Sequence, residues 1–336
     1  MLQWLGRHTD AMLFTGGDLT GRLPLFHRAI RSLERVRSFG ILLNGSCASS
    51  PEAARLLLDH LQAANDQRSR PAEIVLQVSF DEYHQEIVPD RDGTLRERIP
   101  VDNITHLILA AVAFPAIQLV LLHKQNRLNF STDLFKRGLF ARLARALRQR
   151  GHALQILWHA CSPRIKTDPV DHRRSGPVIR DALFALAAHP ERPMRFSSSI
   201  IDGHGRAALL DPSEFINERH YLQEILRKGA PARERFDTDP MFAIDGAVSC
   251  FAANHLWLGN FHEEGGTTIL ERHDKDPLLS ALERFDPRLT GFYQEVANDL
   301  EEILNSATGP HHFMHRLTER AEVRLHMTRR LLNGPA

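Results

Sequence analysis

The stretch Met12-Leu-Phe-Thr-Gly-Gly-Asp18 decides the predicted fold. An apolar run that stops at two glycines and an acid predicts a β-strand followed by a tight turn. In α/β folds, ligands bind where such strands end, at their carboxyl ends. We therefore expect a binding site at the end of this first strand.

The strand and helix pattern of this stretch recurs along the first half of the chain. Further apolar runs at 40–43, 73–81, 117–122 and 154–158 predict strands, and segments of helical period lie between them. Strands that alternate with helices predict successive parallel neighbours joined by right-handed crossovers. The first strand lacks the Gly-x-Gly-x-x-Gly of a Rossmann fold. We predict an α/β fold in which residues 1–162 form a partial, TIM-like (β/α) barrel.

The second half of the chain follows a different pattern. Residues 163–240 are rich in proline and arginine and predict a connector or lid, with helices at 181–188 and 214–227. Residues 241–336 predict a C-terminal α+β extension that begins with a hairpin turning at Asp245-Gly246. Residues 256–261 are expected to pair with that hairpin, and the chain is predicted to be helical from residue 277 onward.

Composition excludes several classes of protein. The chain has 42 Lys+Arg against 41 Asp+Glu in 336 residues, and this balance argues against nucleic acid or an anionic membrane as a partner. The sequence has neither an apolar run of membrane-spanning length nor the pattern of a signal peptide, which predicts a cytoplasmic protein. Its three cysteines stand far apart, as expected of reduced thiols.

Several short motifs occur in a particular order. They are Thr15-Gly16-Gly17-Asp18, Val78-Ser79-Phe80-Asp81, Gly203-His204-Gly205-Arg206-Ala207, Asp245-Gly246 and Leu258-Gly259-Asn260. In this order they resemble motifs of radical S-adenosylmethionine (SAM) proteins, and the last three resemble segments of the peptide-modifying branch. The resemblance covers most of the chain.

The resemblance implies a SAM site at the strand ends. In the family, a Gly-Gly-Glu motif after the second barrel strand holds the amino group of SAM, and polar residues after the fourth strand approach its ribose and carboxylate. Here Asp18 stands where glutamate is usual. The cofactor-binding residues that the resemblance implies are Thr15, Gly16, Gly17, Asp18, Ser79, Asp81 and Asn126.

One family feature is missing from the sequence. The family's Cys-x-x-x-Cys-x-x-Cys loop precedes the glycine motif, whereas the first cysteine here is Cys47. Without three thiolates a [4Fe-4S] cluster that cleaves SAM has no ligands. We expect the chain as given to be inactive in radical chemistry, either truncated or a degenerate relative, and the helix-like start at residues 1–5 favours truncation. If the missing cysteines were supplied, the resemblance implies radical modification of a peptide or small molecule.

Two other functions remain open from the sequence. The same pocket could serve a non-catalytic protein that binds SAM or another ligand. Alternatively, Asp81, His84, Asp202 and His204 could hold a divalent metal in a hydrolase, since carboxylates and imidazoles suit such ions. The sequence contains no His-Glu-x-x-His pattern, so the metal hypothesis is the weaker of the two, and we predict no metal ligands.

Overall fold

The structure is a computed structural model, and it describes residues 1–16, 19–125, 134–136, 138–161, 179–201, 207, 209–211, 218–231 and 234–334. The chain divides into two compact units, Leu2–Ile200 and Ile201–Ala336. No helix in the described ranges is long and apolar enough to cross a membrane. The three cysteines are free thiols, as the sequence predicts.

The first unit combines strands and helices in alternation. Its strands are β1 Ala11–Phe14, β2 Ser38–Leu43, β3 Glu73–Ser79, β4 Ile87–Pro89, β5 Leu95–Glu97, β6 Ile117–Gln125, β7 Leu154–Cys161, β8 Ile179–Leu186 and β9 Met194–Ile200. Its helices are α1 Leu2–His8, α2 Leu23–Ser32, α3 Pro51–Asp66, α4 Val101–Ala111 and α5 Gly138–Gln149.

A seven-stranded sheet runs through this unit in the order β1-β2-β3-β6-β9-β8-β7. Strands β1, β2, β3, β6 and β9 are parallel neighbours, with Ser38 opposite Glu73 and Ile74 opposite Ile117. Strands β4 and β5 form a separate hairpin. The α/β class is therefore confirmed, with a mostly parallel central sheet.

Helices cover one face of the parallel strands. Helix α2 packs on α3, α3 on α4, and α4 on α5, so these consecutive helices lie side by side. Alternate residues of β2 and β3 are buried beneath them, namely Phe39, Ile41, Leu43, Ile74, Leu76 and Val78. Residues on the opposite face of these two strands are half-buried or exposed. The burial pattern of β2 and β3 is therefore one-sided, with the apolar residues on the face that the helices cover.

Local sequence signals account for the start of α3. The Ser50 hydroxyl accepts a hydrogen bond from the Ala53 backbone N–H at 3.1 Å, and Pro51 occupies the first helical position. A serine cap satisfies an N–H that the first turn cannot pair, and proline has no N–H to leave unpaired. These two residues fix the start of the helix.

The observed sheet differs from the predicted barrel in the strands that lie beyond β6. Residues 154–158 were expected beside β6 as a fifth parallel strand, but β9 occupies that position and β7 lies at the outer edge, antiparallel to β8. The helix predicted at 181–188 is wrong, because this segment forms β8. Within the described residues, β1 and β7 are edge strands that do not pair with each other, so the sheet is open. Strands β8 and β9 fall inside the range 163–240 that the sequence assigned to a connector.

The second unit packs helices around a small antiparallel sheet. Its strands are β10 Pro240–Phe242, β11 Ala247–Cys250 and β12 Ala253–Asn260. Its helices are α6 Arg219–Lys228, α7 Phe261–Glu264, α8 Gly266–Lys275, α9 Pro277–Glu283, α10 Arg288–Gln294, α11 Leu300–Ser306, α12 Pro310–Leu317 and α13 Ala321–Leu332. The hairpin at Asp245-Gly246, its third strand and the helical C-terminal part are confirmed.

The turn at Gly246 provides a first test of the second unit. Gly246 has φ +89°, and a Cβ added there would lie 2.7 Å from Asn260 Oδ1 and collide with the His262 ring. We expect Gly246→Ala to lower the free energy of unfolding by about 1–3 kcal/mol, because it adds left-handed strain and a clash. Urea denaturation measures this loss. Gly93→Ala is the control, since Gly93 has φ +80° with open space around it. Equal losses in the two variants would show that the clash contributes nothing.

Candidate functional site

The carboxyl ends of the five parallel strands meet at one edge of the sheet. Thr15 and Gly16 follow β1, Ser79 ends β3, and Asp81 lies two residues beyond it, with β2 between the two groups. The structure thus brings four of the predicted cofactor-binding residues to the same edge. The other three, Gly17, Asp18 and Asn126, lie outside the described residues, as do Asp202 and His204.

Gly16 is the last residue described after β1, and it is exposed to solvent. It has φ +108°, and a Cβ built on it would meet no described atom within 4 Å. Only glycine adopts this backbone conformation without strain, so the glycine is required by the turn itself. Gly16 is exposed, so its backbone is accessible to a ligand.

Asp81 is the most buried acid at this edge, with 1% of its surface exposed. Its Oδ1 accepts hydrogen bonds from the backbone N–H groups of Tyr83 and His84, each at 3.0 Å, and lies 2.9 Å from His84 Nδ1. Burial raises the pKa of this carboxyl, but the hydrogen bonds and charge of His84 outweigh burial and bring the pKa of Asp81 below its usual value. Asp81 is therefore an ionised carboxylate held inside a turn.

The same turn buries Gln85. Its Oε1 accepts a hydrogen bond from the Asp81 backbone N–H at 2.9 Å. Its Nε2 is buried and has no hydrogen-bond partner among the described residues. Buried amide donors are nearly always paired in folded proteins, so this unpaired group marks a polar position that a ligand or water could satisfy.

A buried histidine stands on the neighbouring strand. His123 of β6 is 4% exposed, and its Nδ1 lies 3.2 Å from the Ser198 hydroxyl of β9. Its ring contacts Phe140 and Phe196, with centroids 5.4 and 5.9 Å away. Burial lowers the pKa of His123 to about 4, although the charge of Asp81 acts in the opposite direction. The imidazole is therefore neutral at physiological pH.

Glu82 links this edge to helix α5. Its Oε1 accepts a hydrogen bond from the Leu139 backbone N–H at 3.3 Å, in the first turn of the helix. Burial raises the pKa of Glu82, the nearby Asp81 charge adds to this effect, and the Leu139 hydrogen bond and Arg142 oppose it. A carboxylate at a helix N-terminus is favourable, so Glu82 mainly fixes α5 to the turn after β3.

The pairing of His123 with Ser198 is a site feature that sequence reasoning missed. The two residues are directly opposite in the register of β6 and β9. The sequence signal available was polar side chains near the ends of both strands, His123 in one and Ser197, Ser198 and Ser199 in the other. That signal is informative only if residues 194–200 are first predicted to form a strand, and the sequence analysis assigned them to a connector.

The three cysteines are divided between the two units. Cys47 and Cys161 belong to the first unit and Cys250 to the second. Cys250 is fully buried, and burial together with the charges of Asp276, Asp237 and Asp239 raises the pKa of its thiol to about 12. No group of three or more His, Cys, Asp or Glu side chains within the described ranges is arranged to hold a metal ion.

Fold and site together define an α/β protein with an open, mostly parallel sheet and a polar carboxyl edge. No model of a known protein family matches the chain, and no curated protein is significantly similar to it. Its function is therefore inferred from the sheet edge and the motifs that end there.

Proposed function

We propose that the first unit is a radical SAM-like protein that binds SAM at the carboxyl edge of its sheet. One observation carries this proposal. The glycine turn after β1 and the Ser79–Asp81 segment after β3 lie at the same edge, with β2 between them. The resemblance implies the same spacing, because its two motifs follow the second and fourth strands of the barrel.

The sheet also supports part of a barrel as its architecture. Crossover helices on one face, each packed on the next, are the arrangement of a (β/α) barrel, whereas doubly wound sheets carry helices on both faces. In the described residues β1 pairs on one side only, with β2. On this proposal a further parallel strand would pair along the other side of β1.

The radical step is not assigned to residues of this sequence. Three thiolates are needed to hold the cluster, and this sequence contains no Cys-x-x-x-Cys-x-x-Cys motif. The proposed activity of this chain is therefore SAM binding, and radical modification of a peptide or small molecule would need cluster ligands from elsewhere. A non-catalytic SAM-binding role is the alternative, and it rests on the same pocket.

The motifs of the second unit support the peptide-modifying branch less directly. Asn260 caps α7, since its Oδ1 accepts a hydrogen bond from His262 N–H at 2.9 Å. Gly259 has φ +139°, and a Cβ there would lie 2.7 Å from Arg272 Nη1. Leu258-Gly259-Asn260 thus forms a tight change from strand to helix, which is a structural reason for this motif. A peptide substrate stays a proposal.

A metal-dependent hydrolase has no supporting observation within the described ranges. Asp81 and His84 are hydrogen-bonded to each other at 2.9 Å rather than converging on a common point with further ligands.

Calorimetric titration with SAM tests the proposal. We expect the chain to bind SAM and Asp18→Ala to bind about tenfold or more weakly, because a charged hydrogen bond to the ammonium group is lost. Asp10→Ala is the control, since Asp10 is an exposed acid directly before β1. Absence of binding by the unmodified chain, or equal affinities of the three proteins, would contradict the proposal.

A further inference from the structure

A histidine beside the predicted SAM pocket is oriented by a buried carboxylate. His84 Nδ1 lies 2.9 Å from Asp81 Oδ1, and the Asp81 side chain is 2% exposed while that of His84 is 40% exposed. Asp81 itself is held by the backbone N–H groups of Tyr83 and His84. The acid is therefore rigidly placed, and the imidazole extends from it into solvent.

The contact determines which nitrogen of His84 carries the proton. An ionised carboxylate only accepts hydrogen bonds, so Nδ1 must donate, and in the neutral ring Nε2 then carries the lone pair. No described residue forms a hydrogen bond with Nε2. The lone pair is thus available to a molecule at the carboxyl edge of the sheet.

We propose that Asp81 and His84 form a general-base pair, which removes a proton from an O–H or N–H group of a small molecule bound at this edge. The proton moves from that group to Nε2, the resulting imidazolium is stabilised by the Asp81 carboxylate, and the exposed ring returns the proton to water. This proposal does not depend on SAM binding. It gives His84 a role that the motif resemblance does not assign.

A second observation in the same turn points to a bound polar molecule. Gln85 holds the Asp81 backbone through its Oε1 but leaves its buried Nε2 donor unpaired within the described part of the chain. A buried donor without a partner is unfavourable, and such donors are usually paired with a ligand or an ordered water. The turn that orients the base therefore also has an unused donor.

His189 offers a matched control. Its side chain is 42% exposed, and its Nδ1 lies 3.6 Å from the exposed carboxylate of Glu191. It lies between β8 and β9, at the amino end of the parallel strand β9. His189 thus has the exposure and the nearby acid of His84, but neither the buried, fixed carboxylate nor the position at the carboxyl edge.

Hydrolysis of p-nitrophenyl acetate by the full chain tests the pair. In this reaction His84 Nε2 removes a proton from water as the water oxygen attacks the ester carbonyl, and p-nitrophenolate leaves as acetate forms. We expect His84→Gln and Asp81→Asn each to lower the protein-dependent rate about tenfold or more, and His189→Gln to leave it unchanged. A rate for His84→Gln equal to that of the unmodified chain would overturn the proposal.

Nitrogen NMR of the histidine side chains provides a readout that remains valid if Asp81→Asn unfolds. We expect His84 at pH 8 to show the tautomer protonated on Nδ1, and a tautomer protonated on Nε2 would overturn the proposal. The ester assay contains no SAM, so it can succeed where the SAM titration fails, and the two proposals are tested separately.

Discussion

Replacing Arg68 with alanine is expected to lower the free energy of unfolding of the first unit by about 3 kcal/mol or more. Arg68 is 7% exposed, and its guanidinium donates to five backbone carbonyls. Removal of the side chain leaves most of these oxygens without a partner in a site with little access to water. The variant therefore loses several hydrogen bonds to a charged group, and it also leaves buried carbonyl oxygens unpaired.

The carbonyls that Arg68 binds explain the size of this effect. They include those of Leu33 at 3.2 Å and Val36 at 2.7 Å, together with Ile30 and Glu34, and all four lie in or after the last turn of α2. The last carbonyls of a helix have no partner within the helix, and a cation there is also favoured by the helix dipole. Arg68 thus joins the end of α3 to the end of α2 and to the chain that enters β2.

Urea denaturation followed by tryptophan fluorescence measures this prediction. A Trp257→Phe background leaves Trp4 and Trp158, both in the first unit, as the reporters. Arg70→Ala is the control, since Arg70 is exposed two residues away, and we expect it to change stability by no more than about 0.5 kcal/mol. Arg68→Lys should recover little, because an ammonium cannot reach carbonyls on both sides. A loss for Arg68→Ala no larger than that for Arg70→Ala would refute the assignment.

The parallel strands are predictable because local sequence and tertiary position agree there. Strand β3 is a run of apolar and β-branched residues that ends at the polar residue Ser79, and Asp81 follows two residues later. The turn at Asp245-Gly246 is predictable for a similar reason, since its sequence suits few other conformations. At these positions the local sequence is sufficient to predict the structure.

Strand β8 shows where local rules fail. Its sequence, Ile-Arg-Asp-Ala-Leu-Phe-Ala-Leu, is rich in alanine and leucine, which favour helices. It forms a strand because it is the middle member of an antiparallel set, with β7 on one side and β9 on the other. Strand formation here depends on two partners that are distant in sequence, and strand preference is known to depend on such context.

In the candidate site, too, some residues are predictable from local sequence and others are not. Residues that follow strands, such as Gly16 and Asp81, can be chosen from the sequence because strand ends are the expected site of binding. The bond between His123 and Ser198 joins residues 75 positions apart and exists only because β6 pairs with β9. The buried position of Arg68 is likewise not predictable from the sequence, because an arginine near a helix end is usually exposed.

His123 predicts a loss of stability on mild acidification. Its pKa is about 4 in the folded protein, against an ordinary value of 6.5, because burial disfavours the charged ring. Between these two values the unfolded chain binds a proton at this position and the folded chain does not. The free energy of unfolding therefore falls as pH falls from 6.5 to 4, and this residue alone accounts for about 3 kcal/mol of the loss.

The pH range in which stability is lost distinguishes His123 from its neighbour Asp81. The pKa of Asp81 is lowered from 3.8, so the stability it contributes is present above that value and is lost only at lower pH. We expect His123→Gln to flatten the stability profile between pH 6.5 and 4 by about 3 kcal/mol, while leaving the loss below that range in place.

Urea denaturation at a series of pH values, in the Trp257→Phe background, measures both profiles. His60→Gln is the control, because His60 is an exposed histidine on α3 and should leave the profile of the parent protein unchanged. A glutamine at 123 keeps a group that can bond to the Ser198 hydroxyl but loses the ring that packs on Phe140 and Phe196, so the pH dependence of stability, rather than its absolute value, reports on protonation. If His123→Gln and His60→Gln give the same profile, the prediction is wrong. The acid sensitivity of the first unit would then arise from other groups, and burial of neutral His123 would not contribute to the pH dependence of stability.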